Sequence, residues 1–206
     1  MERKTVRVLL TGFEPFGKTK KQYNMNRSWE IAKMFKGRTI QALNMVVVID
    51  VILLPVEYDP AFKILTSLYD EKEKIGEMYD YIIHMGEGNP SKIKVEHLAR
   101  SETYVSPGNG GAKDLPLNGK VPNSVEKSIS SNCNISEMVK HIHLEYVESS
   151  WNAGLYLCEF VYYTSLMSAN NSRRTIFIHL PPYGCEITDD DIVDVLNKAV
   201  LFLANN

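Results

Sequence analysis

The chain reads as an α/β fold: a three-layer α/β/α single domain over residues 1–206, built on a mostly parallel, mixed central sheet. Three features predict it. Runs rich in β-branched residues alternate with segments of helical periodicity along the chain. Several strand-like runs stop at Gly or Pro, which mark the exit from a strand into a loop. The chain has 206 residues, 23% of them charged, which is long enough and apolar enough to bury a sizeable core.

The elements follow in order. "TVRVLLTG" (5–12) predicts a strand, and "FEPFGKTKKQYNMN" (13–26) a loop. "RSWEIAKMF" (27–35) places Trp29, Ala32 and Phe35 on one helical face. "NMVVVIDVILLPV" (44–56) predicts a strand from its β-branched content. "PAFKILTSLYDEKEKI" (60–75) opens with proline and aligns Phe62, Leu65, Leu68 and Tyr69, as a helix does. "YDYIIHMG" (79–86) predicts a strand ending in glycine. Residues 87–133 read as irregular, since "SPGNGGAKDLPLNGKVPNS" is turn chemistry at nearly every position. Order returns with a helix at 135–143, a short strand in "LEYVESS" (144–150), a helix over 155–168, a strand in "RTIFIHLP" (174–181) and a closing helix. Thr188 is the expected N-cap of that last helix, and the aspartates after it suit its positive end. In sheets of this kind sites form beyond the C-terminal ends of strands, which directs attention to the residues after Leu10, Met85, Ser149 and Ile178.

Charge excludes some functions. Net charge is −2, from 23 basic and 25 acidic residues with no basic block, so no nucleic-acid partner is expected. The longest apolar run, "VVVIDVILLPV", is interrupted by Asp50 and ended by Pro55, short of the roughly 20 residues that span a membrane. The apolar core of "MERKTVRVLLTG" is too short for a secretory signal, so the expected location is cytoplasmic. Three cysteines, Cys133, Cys158 and Cys185, show no C-x-x-C spacing, which argues for free thiols over a disulfide framework or zinc knuckle. His141 and His143 point to different helix faces, a poor metal pair, and no G-x-G-x-x-G or Walker pattern is present. No metal and no cofactor are expected.

Candidate site residues sit at strand ends. His179 closes an apolar strand just before two prolines; it either bonds a loop carbonyl or serves as a general base. Cys158 falls near the start of a helix, after Gly154. The helix dipole and unpaired N–H groups there favour a thiolate and offer an oxyanion site, while ordinary core packing is the commoner fate of a free cysteine. Glu87, Glu96 and Glu102 are the acidic candidates for orienting an imidazole, and spacing does not choose among them. Phe13 and Phe16 follow the first strand and either pack on the neighbouring helix or line an apolar pocket.

Taken together, several segments resemble one family, pyroglutamyl peptidase I, the pyrrolidone-carboxylate peptidases. "VLLTGFEPFG" followed by "NRSW" is similar to the family's T-G-F-x-P-F-G and N-x-S-W signature. "AGLYLCEFVYYTSL" resembles its A-G-x-Y-x-C nucleophile motif, and "IFIHLPP" its F-[IV]-H-[IV]-P motif. "VEHLARS" matches the place of the family glutamate more loosely. The matches run in family order from residue 5 to about 184, and their wording is closer to animal-type members. The resemblance implies a phosphorylase/hydrolase-like fold and a cysteine peptidase that removes an N-terminal pyroglutamyl residue from peptides. It carries the nucleophile onto Cys158, the base onto His179, the orienting group onto Glu96, and substrate binding onto Phe13, Phe16 and Asn26. It implies pyroglutamyl peptides as substrate, and its monomeric and multimeric members admit a homo-oligomer. Two departures stand out: Asn26-Arg27-Ser28 replaces N-P-S, and "SETYVSPG" lacks the arginine that bacterial members carry after the glutamate. Two other functions compete with this one, a catalytically weak peptide-binding module and a nucleoside- or phosphate-binding α/β enzyme using "TGFEPFG" as an anion-binding turn.

Overall fold

The computed structural model describes residues 3–17, 24–42, 44–168 and 173–206. Part of the loop expected at 13–26, residues 18–23, lies outside the described residues. In chain order the elements are β1 (Lys4–Phe13), α1 (Arg27–Met34), β2 (Thr39–Ala42), β3 (Met45–Leu54), α2 (Tyr58–Lys74), β4 (Tyr81–Glu87), β5 (Ile93–Glu96), β6 (Leu98–Arg100), β7 (Ser128–Ser130), α3 (Ile135–Ile142), β8 (Val147–Ser150), α4 (Leu157–Met167), β9 (Thr175–Leu180) and α5 (Asp189–Ala204).

Seven strands form the main sheet in the order β2-β3-β1-β4-β9-β5-β8. β3, β1, β4 and β9 run parallel. β2 is an antiparallel edge, while β5 runs antiparallel to β9 and carries β8 parallel to itself. The central strands are covered on both faces, which is why β4 and β9 are apolar almost throughout rather than alternating. One apolar cluster joins α1, α3 and α5 to residues such as Val8, Ile83 and Ile178; the other joins α2 and α4 to Leu9, Ile82 and Phe177. Adjacent residues on β1 and β4 thus face opposite layers, which gives the predicted α/β/α sandwich.

The stretch read as irregular holds short strands. β6 and β7 pair antiparallel as a separate ribbon, and β5 enters the main sheet. Strands of three or four residues carry too little periodicity to be recognised. β8 also runs opposite to β4 and β9, so its end at Ser150 is not at their C-terminal edge. Residues 151–156 return the chain to that edge before α4 begins. The expected cap of α5 is present as a capping box, with Thr188 and Asp191 satisfying each other's backbone N–H groups.

α4 differs from the other helices. Nine of its eleven residues, including Phe160, Tyr162 and Tyr163, are buried, since the β6–β7 ribbon covers the side turned from the sheet. A helix buried all round has little amphipathicity. That accounts for the dense apolar run around Cys158, in which the buried Glu159 is paired with Arg100.

Candidate active site

The nucleophile candidate is fixed by its backbone. Gly154 adopts φ +83°, a left-handed conformation that favours glycine, and the chain then enters α4 at Leu157. Cys158 is therefore in the first helical turn. Tyr156, the N-cap residue, makes no side-chain cap bond, so the first N–H groups of α4 are not taken by a side chain and can receive a developing oxyanion. Cys158 is partly buried. Its sulfur packs against the end of β4, where a Cβ on Gly86 would come within 2.7 Å of Sγ. Any larger residue at Gly86 would displace the thiol or the Phe177 ring beside it.

His179 is the fifth residue of β9 and faces the same space. Glu96 ends β5, and the antiparallel register puts it opposite Phe177, a diagonal neighbour of His179 on the same sheet face. His179 Nδ1 lies 2.9 Å from Glu96 Oε1, and the imidazole is within electrostatic reach of Cys158. Burial alone would lower the imidazole pKa, but the interactions with Cys158 and Glu96 outweigh it and raise it to about 9. For Glu96, burial favours the neutral acid; the bond from His179, the polar groups of Ser150, the charge of His179 and the Asn152 N–H outweigh it and hold the carboxyl below its ordinary value. Its second oxygen, Oε2, is buried and has no hydrogen-bond partner among the described residues. The group at neutral pH is thus an ionised carboxylate holding an imidazolium beside the sulfur.

Glu87 and Glu102 are placed elsewhere. Glu87 accepts the Arg27 backbone N–H, and Glu102 sits beside Lys120 and Lys127. His84, inside β4, bridges Thr11 Oγ1 and Ser165 Oγ at 2.7 Å each; burial lowers its pKa to about 3, so it stays neutral. His97 faces away and stacks on Trp151 with ring centroids 4.1 Å apart. Among the described residues no cluster of His, Cys, Asp and Glu is arranged to hold a metal ion.

The three expected substrate-binding residues differ in kind. Phe13 is 2% exposed and packs on Phe177, so it forms the floor of the region and not an open wall. Phe16 is partly exposed, with its ring 6.0 Å from that of Tyr156. Asn26 is buried and fully engaged: Oδ1 accepts from Ser28 N and Oγ as the cap of α1, and Nδ2 donates to Glu14 O. Its visible role is to hold the Phe13–Phe16 segment in place.

Tyr156 and Tyr58 carry no assignment from the residue reading, yet both border this space. Their rings lie 6.3 Å apart, and a charge on Cys158 bears on both. Tyr156 belongs to the A-G-x-Y-x-C pattern, so its signal was in the sequence; Tyr58 had none. The turn-rich segment closes the same edge. Tyr58 Oη donates to Ser106 O, Tyr156 Oη to Pro107 O, and Asn109 Nδ2 to Pro15 O.

The family model described as pyroglutamyl peptidase matches residues 6–198. Human pyroglutamyl-peptidase 1 is 27% identical over 210 residues, covering 97% of this chain and 90% of that protein. The pyrrolidone-carboxylate peptidase of Pyrococcus furiosus is 30% identical over 196 residues, covering 89% of this chain and 85% of that protein. The wider span of the human match lends the animal-type affinity modest support. Among solved structures, pyroglutamyl peptidase I from Bacillus amyloliquefaciens superposes with a TM-score of 0.80 at 23% identity, covering 100% of this chain and 97% of that one. At that identity the likeness bears on the fold, and it agrees with the layered α/β architecture.

Proposed function

Because the chain belongs to the pyroglutamyl peptidase family, we propose that Cys158, His179 and Glu96 perform its chemistry. The enzyme is a cysteine peptidase that hydrolyses the bond after an N-terminal pyroglutamyl residue. The observation that carries the assignment of roles is the Glu96 Oε1–His179 Nδ1 hydrogen bond with Cys158 within electrostatic reach of the ring, set against a helix start without a side-chain cap.

The surroundings of His179 raise its imidazole to about 9, so the ring takes the Cys158 thiol proton and holds it beside the sulfur. Sulfur attacks the pyroglutamyl carbonyl, and the α4 N–H groups stabilise the oxyanion. His179 then gives its proton to the leaving amine, and a thioester remains. The neutral imidazole next removes a proton from water, which attacks the thioester. Collapse of this second intermediate expels the thiolate beside the imidazolium, which still carries the proton taken from water, and the acid product loses its own proton to solvent. Glu96 keeps the ring oriented and stabilises its charged form through both steps.

Pyroglutamate is a flat, uncharged lactam. Phe16 and Tyr156 supply aromatic faces above the Phe13 floor, and Asn26 fixes the segment that carries both phenylalanines. A free terminal ammonium would have to leave water against those rings, which is strongly unfavourable. Both apolar clusters draw on elements from the first strand to the second half of the chain, which supports treating residues 1–206 as one domain. Three free thiols suit a reducing compartment such as the cytoplasm. Among the described residues no helix is long and apolar enough to cross a membrane. Exposed Val105, Leu117 and Val125 suit a homo-oligomeric contact, which sedimentation at assay concentration reads out.

The test is hydrolysis of a pyroglutamyl fluorogenic amide. The wild-type protein is expected to turn it over and a folded Cys158→Ala variant to show none above background. Normal turnover by that variant would remove Cys158 from the reaction.

A further inference from the structure

We infer that Arg27, which stands where the family pattern has proline, is a positioning residue that locks the substrate-binding segment to the loop behind His179. The inference rests on the site proposed above.

Arg27 is only 3% exposed, and its polar atoms are engaged. Nε donates to Asp189 Oδ1 at 2.7 Å, and Nη2 to Ile187 O at 2.7 Å. Nη1 spans Pro181 O at 3.0 Å, Pro182 O at 3.2 Å and Cys185 Sγ at 3.3 Å. The Tyr183 ring covers the guanidinium at 5.3 Å. The backbone N–H of Arg27, one of the donors left open at the start of α1, is accepted by Glu87 Oε1 at 2.8 Å.

The chain behind His179 needs such a partner. After Leu180 it leaves the sheet through two prolines, which have no N–H groups, and the carbonyls there lose their ladder partners. A planar guanidinium presents five N–H donors in a fixed fork; an ammonium at the end of a flexible stem has three and is less pre-organised for these carbonyls. Every segment that Arg27 joins touches the site. Its neighbours Asn26 and Ser28 hold Glu14 and Phe13 through side-chain hydrogen bonds. Glu87 sits between Gly86, whose backbone lies against Cys158, and Gly88, whose backbone lies against His179. Pro181 follows His179 by two residues. The charged or titratable groups in reach of Arg27 include Glu87, Asp189, Asp191, Tyr183 and Cys185; those in reach of His179 include Glu96 and Cys158.

A role confined to stability would lower the melting temperature and leave the properties of the folded enzyme unchanged. A positioning role also alters the pairing of His179 with Cys158. The experiment therefore measures, on folded Arg27→Ala and Arg27→Lys, the pH profile of kcat/KM for the pyroglutamyl amide and the pH profile of Cys158 alkylation by iodoacetamide. Arg27→Ala is expected to lose at least about tenfold in kcat/KM, with KM raised and kcat lowered. The alkylation profile is expected to shift relative to wild type, with Arg27→Lys between the two. Lys keeps the charge and most of the volume, so it serves if the Ala variant does not fold. Profiles and kcat/KM within twofold of wild type in the folded variant overturn the inference, whatever the melting temperature. Alkylation needs no substrate, so it reads the Arg27 effect even if the wild-type protein fails to cleave the amide, an outcome that would count against the proposed function alone.

Discussion

Glu96 and His179 each set the charge of the other, and this fixes what a single substitution does. The carboxylate is one of the groups that raise the imidazole to about 9 from its ordinary 6.5. Glu96→Gln keeps the shape and removes the charge. The imidazolium is then lost at lower pH, so the alkaline limb of the kcat/KM profile is expected to move down from about 9 toward 6.5. Activity at neutral pH should fall by about 10²-fold, the range for removing support of a general acid–base group. An unchanged profile in folded Glu96→Gln would mean that another group orients His179. At this scale the motifs made Cys158 and His179 legible. Glu96 could not be separated from Glu87 and Glu102 by spacing, because its choice depends on the antiparallel register of β5 against β9. The engagement of Arg27 was hidden too, since its acceptors lie about 160 residues further along the chain.

Among the elements, α4 carries the proposed nucleophile and is held at two heights. At its start, Gly154 provides the left-handed turn; two turns on, Ser165 meets His84 Nε2 and the Tyr69 hydroxyl. Thr11, on the far side of His84, completes a buried polar chain from β1 through β4 to α4 and α2. Ser165→Ala would leave the His84 nitrogen and the Tyr69 hydroxyl buried without that partner. The expected cost is about 1–3 kcal/mol, measured as a lower denaturation midpoint. The helix periods and the long parallel strands were legible because each spans enough residues to show its pattern. β2, β5, β6 and β7 were not, being only three or four residues long and fixed by the strands they pair with. The short strands β5 and β8, parallel to each other and antiparallel to β9, had their direction set by tertiary packing, so a rule based on strand ends reached Cys158 only through the 151–156 connection.

For the whole molecule, the site couples stability to pH. The folded-state imidazole of His179 is raised, so the stability it contributes is fully present below 6.5 and is lost as pH rises through about 9. Glu96 is lowered, so its contribution is present above its ordinary 4.5 and is lost as pH falls below that. The denaturation midpoint is expected to drop between pH 6.5 and pH 9 or above, and His179→Ala should flatten that drop. A drop of the same size in the variant would place the titration elsewhere. The three thiols of the fold also differ in setting: burial pushes Cys133 up, Cys185 bonds Pro182 O and Arg27, and Cys158 faces the imidazolium. That contrast gives the most direct measurement, iodoacetamide labelling at neutral pH with the modified cysteine mapped by mass spectrometry. Labelling is expected at Cys158 ahead of Cys133 and Cys185, with loss of activity in step and protection by a pyroglutamyl ligand. Inactivation that maps to Cys133 or Cys185, or full activity with Cys158 labelled, would contradict the assignment of Cys158 as the nucleophile.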